Sequence, residues 1–183
     1  MLVIGLVGLN GSGKSTAAKI IAEEFNALQI GLSKYIYEEL NGKMDRNLAN
    51  AKGNEIRQKE GYAALAKRAV KEINSSSKKI AVVESIRHPA EMQELQKSFG
   101  KNFLVVKIEA PLKTRYDRAV ARGREKESFQ EFVAKEEKEM HGKDYDMNVQ
   151  YCLDQASETI ENNDDLSEFK EKIISLVNER IAN

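Results

Sequence analysis

The stretch Gly8-Leu9-Asn10-Gly11-Ser12-Gly13-Lys14-Ser15-Thr16 fits the spacing G-x-x-x-x-G-K-[ST], which suits the holding of a triphosphate. Its glycines let the backbone wrap so that successive N–H groups point inward. The N-terminus of a following helix adds partial positive charge. Lys14 would reach the outer phosphates of ATP as a point charge, and Ser15 would offer its hydroxyl to Mg2+. Composition alone would produce the bare pattern in roughly one chain of this size in two hundred. Its setting, after an apolar run and before an apolar-faced helix, is the one the pattern requires.

A second acidic element would complete a metal site. The run Ile80-Ala81-Val82-Val83-Glu84 is an apolar strand ending in a carboxylate, where parallel sheets place ligand groups. Glu84 could hold Mg2+ through water or orient an acceptor hydroxyl; the plainer reading is a strand capped in solvent. Arg115, Arg118, Arg122 and Arg124 fall on one helix and its exit, the first three spaced to share a face. Such arginines can cover migrating phosphoryl charge, although a solvated charged face is the common explanation for such a run. Arg87 is a further candidate to hold an acceptor's anion.

These residues need a scaffold, and the hydropathy pattern supplies one. Short apolar runs at Leu2 to Val7, Ala27 to Ile30, Ile80 to Val83, Leu104 to Ile108 and Thr159 to Glu161 predict five strands. Helical patterns fall between them, at Lys14 to Phe25, Lys34 to Leu40 (capped by Ser33), Ala90 to Phe99 and Pro111 to Arg122. Asn47 to Ile73 is helical with a break near Gly61, Phe129 to Met140 is charged and amphipathic, and Leu166 to Ile181 closes the chain. The alternation predicts an α/β three-layer sandwich with a five-stranded parallel sheet and a small helical lid.

The 183 residues predict one domain, residues 1–183. Lysine plus arginine balances aspartate plus glutamate at 29 each, which argues against a general nucleic-acid binder. Cys152 is the only cysteine, so no intrachain disulfide forms and a reducing cytosol fits. It reads as a small buried residue. The apolar N-terminus is too short and too interrupted for a signal peptide or membrane span, so a cytoplasmic protein is expected. His88 and His141 have no ligand-spaced partner for zinc and read as surface residues.

Taken together, these strings resemble the nucleoside monophosphate kinase superfamily over nearly the whole chain. More closely, they are similar to the dephospho-coenzyme A kinase-like P-loop proteins and the kinase-like domain fused to some deoxycytidylate deaminases. The matching strings are the phosphate loop, Gly53 to Arg57, Leu65 to Arg68, Glu84-Ser85-Ile86-Arg87, Ala110-Pro111, Arg115 to Arg118, Arg122-Gly123-Arg124 and Glu131-Phe132. The resemblance implies an acceptor-binding helical region at about 33–74 and a lid at about 123–146. It implies a γ-phosphoryl transfer from Mg·ATP to a small nucleotide or nucleotide-like acceptor. Arg118 and Asn162 would lie near the donor base, and Arg122 would contact phosphates. The chain departs from its relatives at Lys34 and Tyr37, where an acidic residue and an arginine are usual, and at Asp164-Asp165. Lys34, Arg57, Arg68 or Arg87 would then hold the acceptor. Dephospho-coenzyme A is one acceptor consistent with this reading, and a nucleotide-binding switch or slow ATPase is the reading from another class.

Overall fold

A segment whose neighbouring residues are all buried can be satisfied inside a sheet covered on both faces. β1 (Leu2–Val7) is such a segment: Val3 and Val7 face one layer of helices, Ile4 and Leu6 the other. The computed structural model describes residues 1–42, 45–122, 128–163 and 165–182. It places β1 at the centre of a five-stranded sheet, followed in the chain by β2 (Leu28–Gly31), β3 (Ile80–Glu84), β4 (Phe103–Glu109) and β5 (Glu158–Glu161). The spatial order is β2-β3-β1-β4-β5, and every pairing is parallel.

The helices are α1 (Lys14–Phe25), α2 (Ser33–Glu39), α3 (Arg46–Glu60), α4 (Ala64–Asn74), α5 (Pro89–Phe99), α6 (Leu112–Ala121), α7 (Phe129–Met140), α8 (Val149–Asp154) and α9 (Leu166–Ala182). Ala18 and Ile21 of α1 and Phe169, Ile173 and Val177 of α9 cover one face of the sheet. The other face carries Ile36, Ile56, Leu65, Met92 and Leu95, with Cys152 of α8 fully buried among them. The expected three-layer α/β architecture is therefore present. Parallel strands all point their C-terminal ends one way, so Val7, Gly31, Glu84 and Glu109 emerge at one edge, where ligands bind in such sheets.

Two local expectations change. Ser33 makes no cap to α2; its hydroxyl lies 3.5 Å from that of Ser85, across the same edge. The helix around Cys152, α8, is present but only six residues long. His88 is 5% exposed rather than on the surface. It caps α5: Nδ1 accepts the Ala90 N–H at 3.1 Å, while Nε2 lies 2.7 Å from the Asp144 carbonyl. An imidazole serving a helix end and a crossing loop together is enclosed by both.

Candidate phosphoryl-transfer site

β1 ends at Val7 and α1 begins at Lys14, so residues 8–13 must reverse direction in a small space. Gly13 has φ of 105°, and a Cβ there would lie 2.2 Å from the side-chain nitrogen of Asn162. Gly11 has φ of 78°, and its Cβ would meet the Arg115 carbonyl oxygen at 2.3 Å. Both positions require glycine on conformational and steric grounds.

The loop is held from outside as well. Asn162, following β5, donates to the Ser12 carbonyl at 2.8 Å. Arg118 in turn donates to the Asn162 backbone and side-chain oxygens at 3.3 and 3.2 Å. Arg115 is 5% exposed; it donates to the carbonyls of Ala110 (3.1 Å) and Asn10 (3.3 Å) and pairs with Glu136 of α7 at 2.9 Å. The three arginines expected to share one face thus divide. Arg115 braces the loop, Arg118 braces Asn162, and Arg122 borders the cleft. Arg124 and Asp164 lie outside the described residues.

At the mouth of the loop the Ser15 hydroxyl donates to Glu84 Oε2 at 2.6 Å, and Gln29 of β2 donates to Oε1 at 3.3 Å. A hydroxyl and a carboxylate in contact at the end of β3 form the donor set that Mg2+ uses beside phosphate oxygens and water. Among the described residues no group of three or more His, Cys, Asp or Glu could hold a metal ion. That pattern belongs to self-sufficient metal cages, which Mg2+ seldom needs.

Lys14 donates to the Leu9 carbonyl at 2.8 Å, arched over its own loop. Burial, then the nearby positive charge of Arg87, pulls its pKa from 10.5 down to about 7. Glu84 and Glu139 oppose that shift and Arg122 adds to it. These charged groups therefore surround the Lys14 ammonium.

A cavity of about 330 Å3 runs from the loop toward α2 and α3, bordered by Lys14, Ser15, Ser33, Asn50 and Arg87 among others. The four expected acceptor cations are treated differently by the fold. Lys34 borders the cavity but is paired with Glu72 at 2.6 Å, which also accepts from Tyr35 at 2.9 Å. Arg57 borders it too, 3% exposed, and is paired with buried Glu91 at 3.0 Å. Arg68 does not border it; its guanidinium serves Glu39 and Glu60, each at 2.8 Å. Arg87 borders the cavity 3.7 Å from Glu139.

Sequence reasoning missed Gln29, Glu91, Glu136 and Glu139. The last two lie one helical turn apart on α7, an i, i+3 spacing that puts both on one face. That spacing was the available signal, hidden in a helix that is charged almost throughout.

The five-stranded parallel sheet and the phosphate loop after β1 define the P-loop kinase fold among α/β proteins. The AAA-domain family model matches residues 4–142, and the chain belongs to that family. It is similar to a UPF0200/UPF0201 protein of Archaeoglobus fulgidus, 34% identical over 94% of this chain. This chain spans only 54% of that relative's length. A UPF0200 protein of Methanosarcina mazei is 29% identical, with 94% of this chain and 92% of the relative covered. Among solved structures, shikimate kinase from Acinetobacter baumannii superposes with a TM-score of 0.62 at 17% identity, covering 98% and 94% of the two chains. A gluconokinase from Sinorhizobium meliloti gives 0.56 at 15% identity, covering 95% and 90%. At these identities the likeness is one of fold. No helix among the described residues is long and apolar enough to cross a membrane.

Proposed function

We propose that the protein is an Mg·ATP-dependent phosphotransferase acting on a small nucleotide or nucleotide-like acceptor, dephospho-coenzyme A being one candidate. The observation that carries this reading is the convergence of Lys14, Ser15 and Glu84 at the mouth of one cavity, with Ser15 and Glu84 2.6 Å apart. In this reading the loop N–H groups and Lys14 hold the triphosphate. Ser15 and Glu84 hold Mg2+, which would neutralise charge on the β- and γ-phosphates. Arg118 and Asn162 border the donor base. Arg122, at the exit of α6, covers the phosphates and limits loss to water.

The acceptor occupies the cavity in the region of residues 33–74, with Arg87, Lys34 and Arg57 on its wall and Arg68 outside it. Catalysis is then chiefly positioning and charge neutralisation. Lys14→Ala tests the reading. Phosphoryl transfer should fall at least about a hundredfold, as when other groups that stabilise developing charge are lost. Near-normal turnover of that variant would remove Lys14 from the mechanism.

A further inference from the structure

Three cations of the acceptor wall already face carboxylates. Glu72 holds Lys34, Glu91 holds Arg57, and Glu139 lies 3.7 Å from Arg87, while Glu39 and Glu60 hold Arg68 outside the cavity. Arg122 stands at the phosphate-loop end of the cavity, and the rest of the wall includes the apolar Ile36, Ala49 and Leu65 and the neutral Ser33, Asn50 and Tyr37. Such a wall suits an uncharged ring bearing hydroxyls better than a phosphate dianion, which is gripped by arginines free to fork around it.

The two kinds of acceptor also differ in what they ask of a base. A phosphate arrives with an ionised oxygen. A hydroxyl must give up its proton as the new bond forms, and kinases of hydroxyl groups place a carboxylate to take it. Two carboxylates act on Lys14, Glu84 and Glu139. Glu84 is engaged by Ser15 and Gln29 on the metal side. Glu139 lies on the other side: its Oε1 is 3.4 Å from the side-chain amide of Asn50, and its Oε2 is 3.7 Å from Arg87. Asn50 and Arg87 are both part of the acceptor wall. Glu139 itself borders a narrow pocket of about 10 Å3 with Lys14 and Arg87. Its side chain is 12% exposed, so bulk water is largely kept from it.

We propose that the acceptor is a hydroxyl of a nucleoside-like compound and that Glu139 of α7 takes its proton. This rests on the phosphotransferase reading above. The acceptor O–H bond breaks and its proton passes to a Glu139 carboxylate oxygen. The oxygen forms a bond to the γ-phosphorus, and the bond from that phosphorus to the β,γ-bridging oxygen breaks, its electron pair leaving with ADP. The product is a phosphate monoester, and Glu139 then releases its proton to water.

The test uses the full chain, γ-labelled Mg·ATP, and a panel of the common nucleosides, their 5′-monophosphates and dephospho-coenzyme A. The expected label is an acid-stable ester. Label in an acid-labile anhydride overturns the proposal, as does transfer to no panel member while Mg·ATP binds. Glu139→Gln should lower transfer about a hundredfold or more, the range of general-base loss. Mg·ATP affinity should stay within about threefold, and Glu139→Asp should restore part of the rate. A parallel loss of Mg·ATP binding in Glu139→Gln, or a rate within about threefold of wild type, overturns the role of Glu139. Failure of wild type to bind Mg·ATP removes the donor reading, and the proposal with it.

Discussion

Two N–H groups of Arg57 on α3 converge on a single oxygen of Glu91 on α5, at 3.0 and 3.2 Å, in a pair almost closed to solvent. The other Glu91 oxygen accepts the backbone N–H groups of Arg87 and His88, at 3.0 and 3.1 Å. One carboxylate of α5 therefore ties α3 to the loop that carries Arg87.

Removing that carboxylate leaves a buried guanidinium without a counter-ion. Glu91→Ala should destabilise the fold by about 3–5 kcal/mol, whereas replacing both Arg57 and Glu91 with methionine should cost much less. Urea unfolding of the two variants checks this; equal losses would mean that the pair acts only through packing.

The Ser15–Glu84 contact predicts a specific metal phenotype. Glu84→Gln keeps the volume and a hydrogen bond but loses the charge. The Mg2+ concentration for half-maximal transfer should rise about tenfold or more, while ATP binding in the presence of a chelator changes little. An unaltered Mg2+ requirement would place Glu84 outside the metal site.

Lys14, with its pKa lowered to about 7, gives a pH dependence of definite sign. The nucleotide-free protein binds its Lys14 proton less tightly than the unfolded chain does, so stability should rise as pH goes from about 7 toward 10.5. A bound triphosphate favours the ammonium, so ATP binding at pH 8 to 9 should take up a proton. Calorimetry in buffers of different ionisation enthalpy measures that uptake. Lys14→Arg, charged throughout, should abolish it; uptake that persists in the arginine variant would assign the proton to another group.

Much of this molecule could be read before it was seen, and the parts that could not share a cause. The five strands and the phosphate loop announce themselves through neighbours in sequence: apolar runs, glycines at fixed offsets, Lys14 and Ser15 adjacent. Glu84 was legible because it ends a buried strand. Glu91 and Glu139 were not, because their partners lie 34 and 52 positions away and reach them only through the packing of α3, α5 and α7. Arg57 and Lys34 were legible as cations but not as cations already matched. Charge pairing is a tertiary fact, and a balanced composition cannot say which acid serves which base. His88 looked exposed for the same reason, its enclosure coming from Asp144.

The contact between Asn162 and the Ser12 carbonyl spans 150 positions of the chain. During synthesis, the phosphate loop leaves the ribosome 150 residues before its brace. A nascent chain already carrying Lys14 and Glu84 still lacks the amide that holds the loop to its final curve. The loop's final curve therefore waits until β5 has joined the edge of the sheet, long after β1 and α1 have been made.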